Sequence, residues 1–419
     1  MFDPRVYESG IPYDAFGRLR GEAPVSWQEE PSVLGWPAGP GFWAVMRHDD
    51  VRHVSRTPAD FSAFLGCTQL RDPEPEDLDF TRQMMLNMDP PQHNVLRKTV
   101  SKAFTPSKIR QFSDMIARRA RLLVDEVIER GECDFALDVS DGLPLLTLAE
   151  IMGVPDSDRH LLFTWANRVI GYQDDEFGTA DPNAGAAPAP KSKPVNPRSR
   201  AALTDMFQYA HDLAEHKRRH PADDLITTLV HAEVDGRPLT DEEFEMFFFL
   251  LTVAGNDTSR SVIPAGVLTF TQHRDQWRRL VEQPQLMQDA VEEVLRYCPP
   301  VIHFRRTATK DLKLRGQRIK EGDKVVVFYP SANRDPEVFA EPDRFDITRD
   351  ARAHLSFGDG PHVCLGAGFA RLQLEHMFTE VLTRMPDLEV TGDVEHMRSN
   401  FISGIKRMPV RFTPGPRLS

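Results

Sequence analysis

One cysteine in this sequence lies in a glycine-rich loop that leads directly into a helical pattern of residues. The loop reads Phe357-Gly358-Asp359-Gly360-Pro361-His362-Val363-Cys364-Leu365-Gly366, and the helical pattern begins at Ala367. The dipole and the unpaired N–H groups at a helix N-terminus favour a thiolate at Cys364. Glycines let the backbone approach the sulfur and leave room for a flat cofactor. Such a cysteine suits the axial position of a haem iron, and the alternative is a buried structural cysteine.

A second candidate for chemistry lies inside a long apolar helix. Ala254-Gly255-Asn256-Asp257-Thr258 places four poor helix formers at its centre, where Gly alone costs about 1 kcal/mol relative to Ala. Local conflicts of this kind often mark functional sites. An acid followed by an alcohol can relay protons in a dry pocket, and Gly255 would leave space beside the helix for a ligand. The alternative is a kink with a solvated polar face.

Three cationic side chains suit an anionic cofactor. His93 and Arg97 lie at i and i+4 of a helix that follows Asp89-Pro90-Pro91, and Arg306 precedes a strand-like segment. Arginine binds carboxylates through two parallel hydrogen bonds, which suits the two propionates of haem. The alternative for each residue is an ordinary surface charge.

The elements that must position these groups are mostly helices. Apolar residues recur at helical spacing from residue 107 onward, and a capping box of Thr240 and Glu243 opens the long apolar helix that should cross the core. Short alternating runs predict a small sheet. The predicted helices are 107–130, 143–152, 157–172, 201–219, the long helix from 240, 285–297 and 367–383, and the predicted strands are 42–46, 312–318 and 324–328.

This order of elements predicts one domain over residues 1–419, mainly α with minor β structure. The β-containing part takes in roughly residues 1–75 and 300–330, and helices form the remainder. Residues 174–198 are rich in Pro, Ala, Gly and Asn and lack periodicity, so they predict a mobile loop that acts as a lid. The alternative is a simple linker between domains.

Composition narrows the class of protein. The net charge of −12 argues against a nucleic-acid binder. Four cysteines are too scattered for a metal cluster and suit a reducing compartment; they are Cys67, Cys133, Cys298 and Cys364. The N-terminal residues do not resemble a signal peptide, and no apolar run reaches the roughly 18 residues of a membrane span. We therefore expect a cytoplasmic, monomeric protein without a membrane anchor.

Together, these motifs resemble those of the cytochrome P-450 monooxygenases. The cysteine loop is similar to the haem-binding signature of that family, and residues 254–258 are similar to its oxygen-activation motif. Glu293 and Arg296 resemble the family's structural acid–base pair, which contacts a later region represented here by residues 333–336 and 342–345. The resemblance extends from about Met85 to the end of the chain.

The resemblance implies the cytochrome P-450 fold, a triangular helical prism with a long central helix over a haem b. It implies Cys364 as the axial thiolate and iron ligand, which pushes electron density onto the metal and favours O–O cleavage. It implies Asp257 and Thr258 as the catalytic pair that delivers protons. The cofactor-binding residues that it implies are His93, Arg97, Arg306 and His362 at the propionates, together with Ala254, Gly255, Phe357, Gly358 and Gly366.

The implied activity is insertion of one atom of dioxygen into a large apolar molecule, namely a sterol, terpenoid, branched lipid or polyketide-like compound. Residues 87–93, 254–258 and 398–401 look nearest to soluble bacterial members that hydroxylate sterol side chains, methyl-branched lipids or terpenoids. Apolar residues beside the motifs are expected to line the substrate pocket. They are Met84, Met85, Leu86, Trp165, Val169, Val253, Val301, Phe304, Phe401 and Ile402.

The resemblance also implies redox partners. Electrons from NAD(P)H would arrive through a ferredoxin and a ferredoxin reductase. A basic stretch in this acidic chain would dock an acidic ferredoxin, because complementary charge speeds encounter. It consists of Lys98, Lys102, Lys108 and Arg110, and the alternative is a solvated face.

Three other functions stay open from the sequence. A non-catalytic haem sensor would have no need of an acid–alcohol proton relay. A biosynthetic oxidase or a peroxide-driven enzyme would use the same scaffold, although the relay favours dioxygen over peroxide. A helical interaction protein without a cofactor would lack a haem absorption spectrum.

Overall fold

Helices dominate the computed structural model, which describes residues 1–178, 199–234 and 236–418. Their bounds are α1 Tyr13–Glu22, α2 His48–Arg56, α3 Leu78–Arg82, α4 Gln92–Ser101, α5 Pro106–Gln111, α6 Ser113–Ile128, α7 Gly142–Met152, α8 Arg159–Ile170, α9 Asp175–Gly178, α10 Thr204–Arg219, α11 Leu225–Val230, α12 Asp241–Gln272, α13 Arg274–Glu282, α14 Met287–Tyr297, α15 Tyr329–Ala332 and α16 Ala367–Arg384. A π-helical turn, Ala136–Ser140, precedes α7. The prediction of a mainly α chain is confirmed.

The strands form one five-stranded sheet and several smaller ribbons. Their bounds are β1 Val25–Gln28, β2 Phe42–Val45, β3 Phe61–Ser62, β4 Glu132–Asp134, β5 Glu233–Val234, β6 Arg237–Pro238, β7 His303–Ala308, β8 Leu312–Leu314, β9 Gln317–Ile319, β10 Lys324–Phe328, β11 Glu389–Val390, β12 Glu395–His396, β13 Ile405–Arg407 and β14 Pro409–Arg411. The largest sheet has the order β1-β2-β10-β7-β3, and β2 runs parallel to β10 with Trp43 opposite Val325. This sheet therefore joins the beginning of the chain to residues 303–328.

The long helix α12 crosses the core as its apolar sequence predicts. Thr240 Oγ1 accepts a hydrogen bond from Glu243 N at 3.2 Å, and Glu243 Oε2 accepts one from Thr240 N at 3.0 Å. This confirms the predicted capping box. The helix is 32 residues long and packs against α7, α8, α10 and α16. Residues at its centre are therefore held in the interior of the molecule.

Two predicted elements, one helix and one strand, differ from the structure. The helix expected at 107–130 is two helices, because Phe112 N bonds to Ile109 O in a tightened turn and the Phe112 ring packs 5.6 Å from that of Phe369. The strand expected at 312–318 is a hairpin, because Arg315 and Gly316 both adopt positive φ, which reverses the chain.

The predicted lid at 174–198 falls mainly on residues 179–198, which lie outside the described residues. Its first residues are not a loop, since Asp175–Gly178 forms α9. Arg398 stabilises this turn: its backbone N–H donates to Asp174 Oδ2 and its guanidinium donates to Asp175 Oδ2, each at 2.9 Å. Arg398 lies more than two hundred residues further along the chain. The local composition, rich in Pro and Gly, therefore could not predict α9.

Candidate functional site

The loop before α16 holds Cys364 in a fixed backbone arrangement. Cys364 N donates to Phe357 O at 2.8 Å, and Gly358 and Gly360 both adopt φ +71°, which only glycine does without strain. The Cys364 side chain is exposed, and a Cβ added at Gly366 would meet nothing within 4 Å. The sulfur thus faces open space at the start of a helix.

Asp359 ties this loop to α2, a contact that the sequence analysis missed. Its carboxylate accepts hydrogen bonds from Arg52 Nε and Arg56 Nε, each at 2.9 Å, and from Gly360 N at 2.7 Å. A Cβ at Gly360 would come within 2.5 Å of the carbonyl oxygen of Ser55, so only glycine fits against α2 here. The loop therefore depends on two arginines that lie about three hundred residues earlier in the chain.

A second support lies beneath Phe357. The Arg371 guanidinium lies 4.6 Å from the centre of the Phe357 ring and donates to Glu292 Oε2 at 3.0 Å. Glu292 also bonds to His354 Nε2 at 3.0 Å. Burial alone would raise the pKa of Glu292, but the hydrogen bonds from His354 and Arg371 outweigh it and lower the pKa to about 2. The carboxylate stays ionised and holds Arg371 under the ring.

The thiol of Cys364 is subject to opposing influences. The surrounding protein raises its pKa by desolvation, whereas a hydrogen bond from the Gly366 N–H and the charges of Arg97 and Arg371 lower it. Arg97 also donates to Val363 O at 2.6 Å, which joins α4 to the loop. Desolvation is the larger influence, so the pKa of the Cys364 thiol lies above its ordinary value, and the two guanidinium groups and the Gly366 N–H limit that rise.

Four cationic or titratable side chains converge beside the loop. The rings of His93 and His362 lie 4.2 Å apart. Desolvation, followed by the charges of Arg306, His93 and Arg97, lowers the pKa of His362 to about 2. Burial likewise lowers the pKa of Arg306. The cluster of His93, Arg97, Arg306 and His362 consists entirely of groups that gain stability beside an anion.

This cluster and the open space by Cys364 fit haem. His362 Nε2 is buried and has no hydrogen-bond partner among the described residues. A buried polar atom without a partner is costly unless a ligand completes it. The two carboxylates of a haem would supply acceptors and negative charge at this point, and a thiolate is an established axial ligand. The donor set present therefore suits an iron porphyrin.

The acid–alcohol pair lies in the middle of α12. Asp257 is 1% exposed, and its Oδ1 lies 3.2 Å from Arg260 Nη2. Burial raises the pKa of Asp257, and the charge of Arg260 opposes that shift. Asp257 Oδ2 has no hydrogen-bond partner in the described part of the chain. Thr258 Oγ1 donates to the carbonyl of Ala254 at 3.1 Å, one turn earlier. The pair thus offers one uncommitted carboxylate oxygen and one hydroxyl.

Arg260 connects Asp257 to two residues that the sequence analysis missed. Its Nη1 donates to Asn167 Oδ1 at 2.9 Å, and its Nε lies 3.7 Å from Asp141 Oδ1. Desolvation, partly offset by Arg260 and reinforced by Asp257, raises the pKa of Asp141 to about 6. One guanidinium is therefore shared between two carboxylates, one deeply buried and the other 20% exposed.

A cavity, which we call the central cavity, lies against this part of α12. Most of the residues predicted to line a pocket do line it, and they are Met84, Leu86, Val169, Val253, Val301, Phe304, Phe401 and Ile402. Ala254, Asp257 and Thr258 also line it. Met246, Phe249 and Leu250 line the cavity as well, although the sequence analysis did not predict them. They precede Val253 and Asp257 at spacings of three and four residues along α12, so helical periodicity could have identified them.

Three expectations about this region are wrong. Met85 is 7% exposed and packs in the hydrophobic core, not in the cavity wall. Trp165 lies away from the cavity because its indole N–H donates to Asp205 Oδ2 at 2.9 Å and its ring contacts Tyr209. Gly255 does not leave space for a ligand, since a Cβ there would meet the Leu148 side chain at 3.0 Å. It allows α7 to pack closely against α12.

Glu293 and Arg296 form a fully buried ion pair with an Nε–Oε2 distance of 2.7 Å. Arg296 also donates to the carbonyls of Asn333 at 3.0 Å, Pro342 at 2.7 Å and Arg344 at 3.2 Å. These carbonyls belong to the two later segments that the sequence analysis paired with the motif. The contacts tie α14 to the chain that leads into the cysteine loop.

Comparison with known proteins identifies the family. The family model for Cytochrome P450 matches residues 36–399. A steroid C26-monooxygenase of Rhodococcus jostii is 38% identical over 415 residues, covering 98% of this chain and 84% of that protein. A methyl-branched lipid omega-hydroxylase of Mycobacterium tuberculosis is 37% identical over 406 residues, covering 95% and 90% respectively. A Mycobacterium marinum cytochrome P450 solved in complex with pseudoionone is 37% identical, with a TM-score of 0.86 over 97% of both chains.

These likenesses extend over nearly the whole chain and agree with the site described above. Across the described ranges, no helix combines the length and the apolar character that a bilayer span requires. The family binds haem through a cysteine thiolate and uses electrons that derive from NAD(P)H. The chain therefore belongs to the cytochrome P450 family and is a haem-dependent monooxygenase with its fold.

Proposed function

We propose that this protein oxygenates a large apolar substrate held in the central cavity, and that the Cys364 thiolate would hold its haem iron. The observation that carries the proposal is the accessible Cys364 sulfur at the start of α16, together with an acid–alcohol pair on the wall of an apolar cavity. When bound, the haem supplies reductive activation of dioxygen, of which one atom enters the substrate and the other leaves as water. The residues of the chain bind, exclude water and move protons.

The propionates of the haem would be held by His93, Arg97, Arg306 and His362. The unpartnered Nε2 of His362 supports this role, as does the desolvation of Arg306. Two carboxylates beside these groups would raise the pKa of His362 and satisfy its ring nitrogen. Phe357 and Gly358 of the cysteine loop, and Ala254 of α12, which lines the cavity, would also contact the cofactor.

Asp257 and Thr258 would control the delivery of protons. Thr258 lines the cavity, and Asp257 Oδ2 is the carboxylate oxygen that Arg260 leaves uncommitted. A buried carboxyl with a raised pKa can carry a proton inward and release it to a hydroxyl. Arg260 would hold the opposite oxygen in place while this happens.

The lining of the central cavity indicates the class of substrate. It is mostly aliphatic and aromatic, with Thr68, Gln69, Thr81 and Asn87 as uncharged polar groups beside the acid–alcohol pair. Such a lining binds a bulky apolar molecule and orients it through few polar contacts. Relatives named for steroid and methyl-branched lipid hydroxylation support a sterol, terpenoid or branched lipid.

A ferredoxin is the electron donor that we propose. Lys98, Lys102, Lys108 and Arg110 are all exposed on α4, α5 and the turn between them. Arg97, one residue before Lys98, contacts the cysteine loop directly. A cationic face this close to the thiolate suits an acidic redox partner, which its reductase would reduce again after each electron transfer. All four cysteines are free thiols, which supports a location in the reducing cytoplasm.

The test is reconstitution of the holoenzyme with a surrogate ferredoxin, its reductase and NADPH. We expect a thiolate-type carbon monoxide difference spectrum and hydroxylation of members of a steroid and branched-lipid panel. Cys364→Ser should lose the thiolate spectrum, whereas the control Cys133→Ser should retain it. A thiolate spectrum that survives in the Cys364 variant would refute the ligand assignment, and a holoenzyme that oxygenates no panel member would refute the substrate class.

A further inference from the structure

A second cavity, which we call the side cavity, adjoins the central one. Gln69 and Thr81 line both spaces, so the segment that carries them forms the partition between the two. The far wall of the side cavity includes Trp36 and Asn400. The two cavities therefore meet at Gln69 and Thr81, and a molecule longer than the central cavity would enter the side cavity between these two side chains.

Arg71 is the cation in the wall of this side cavity. Its guanidinium carbon lies 3.6 Å from the centre of the Trp36 ring, which holds the planar group flat against the indole. Within the described part of the chain, its guanidinium donates no hydrogen bond to another residue. A guanidinium carries five donors in a fixed fork. Arg71 is thus held in place by stacking while its donors remain available to a ligand.

The neighbouring charges are largely committed to one another. Asp72 accepts hydrogen bonds from Arg305 Nη1 at 2.5 Å and from Lys324 Nζ at 2.7 Å, and Lys324 also pairs with Glu30 at 2.7 Å. Two cations and two anions therefore balance within this network. Glu74 also lines the cavity, and its charge favours the protonated Arg71.

We propose that the side cavity binds the carboxylate of an amphiphilic substrate, and that Arg71 is its recognition residue. The apolar part of that substrate would lie in the central cavity, so the inference rests on the proposed function and narrows it. A carboxylate matches the planar donor fork of a guanidinium, and the Trp36 ring fixes the orientation of that fork. The enzyme would thereby prefer a branched-chain acid to the corresponding neutral lipid.

The experiment compares one ligand with and without its charge. The haem-loaded enzyme is titrated with phytanic acid and with its methyl ester, and binding is followed by the spin-state shift of the iron and by calorimetry. We expect the wild-type enzyme to bind the acid about tenfold to a hundredfold more tightly than the ester, as for a hydrogen bond between charged groups. Arg71→Gln should remove that preference and leave the affinity for the ester unchanged. Arg71→Lys should retain part of it.

Glu74→Gln is the matched control of opposite sign, because removal of its charge should tighten binding of the acid and not of the ester. A wild-type enzyme that binds the acid no better than the ester would overturn the proposal. So would an Arg71→Gln variant that weakens both ligands equally. Failure of the proposed function has a different signature, since the thiolate spectrum or the turnover of neutral steroids would then be lost.

Discussion

Thr258 is the residue whose substitution separates binding from catalysis. Its hydroxyl bonds to the Ala254 carbonyl and faces the central cavity, so Thr258→Ala removes a proton carrier without opening the core. We expect the variant to keep haem and substrate binding and to divert electrons from NADPH into hydrogen peroxide. The measurement is product formed and peroxide released per NADPH consumed.

Thr258→Ser is the control for this substitution. It keeps a hydroxyl at the same backbone position and should retain most of the coupling. Tight coupling in the alanine variant would show that the proton passes by another route.

Asp141 gives a prediction about stability and pH. Its pKa in the folded protein is about 6, against an ordinary value of 3.8, because burial disfavours the carboxylate. A raised pKa means that the protonated form is stabilised in the folded state. This shift adds to the free energy of unfolding, and its contribution is fully present below pH 3.8 and is lost as pH rises through 6. Asp141→Asn should abolish it, changing the pH dependence of the unfolding free energy by about 1–3 kcal/mol between those limits.

The measurement is urea unfolding of wild type and variant at matched pH values, and the quantity of interest is the difference between the two curves. Other carboxylates titrate in the same range, but they are common to both proteins and cancel. Parallel curves would contradict the raised pKa of Asp141. A difference that grows toward low pH, in favour of the wild type, would support it.

At the scale of elements, α12 presents two different faces at adjacent positions. Ala254 lines the central cavity, whereas Gly255 packs against Leu148 of α7. Ala254→Phe should therefore block bulky substrates while haem is retained, as measured by the loss of the steroid-induced spin-state shift. Gly255→Ala is the matched control, and it should lower thermal stability through its 3.0 Å contact and leave substrate binding intact. Undiminished steroid binding to the Ala254→Phe variant would show that the substrate binds outside the central cavity.

Elements were predictable where the signal is local. The capping box at Thr240 and Glu243 gave the start of α12, and the same helix carried the acid–alcohol pair. The split at Phe112 was not predictable, because it depends on an aromatic contact with Phe369 far along the chain. The hairpin at Arg315-Gly316 had a local signal, a glycine after a charged residue within a short alternating run, that the period-2 pattern concealed.

The site divides in the same way. Cys364, Asp257 and Thr258 lie in short contiguous motifs, so they could be predicted from the sequence alone. Asp359 with Arg52 and Arg56, and Arg260 with Asp141 and Asn167, come together only through tertiary packing. Trp165 was misassigned because its helix lies next to the cavity, and which face turns inward depends on where its indole N–H finds an acceptor.

At the scale of the whole molecule, charge is unevenly distributed. The chain carries a net charge of −12, yet the face beside the cysteine loop presents Lys98, Lys102, Lys108 and Arg110. If this face docks an acidic ferredoxin, reduction of the haem should slow as salt rises through about 0.1 M, where the screening length is roughly 10 Å. Stopped-flow reduction rates at several salt concentrations measure this dependence.

Charge reversal of Lys98 and Lys102 to glutamate should slow reduction further and flatten the salt dependence. Reversal of Arg278, an exposed arginine on α13, serves as the control and should have little effect. A reduction rate that responds neither to salt nor to the lysine substitutions would leave the basic stretch as a solvated face.

The anchoring of the cysteine loop by Arg52 and Arg56 has a consequence for biosynthesis. A ribosome completes α2 about three hundred residues before it reaches Cys364, so the loop and its support are far apart on a growing chain. The closed loop, and with it a fixed position for the sulfur, requires that α2 and the cysteine loop have already met. We therefore expect haem to bind only after these two distant segments have folded together, so that chains truncated before Cys364 remain colourless.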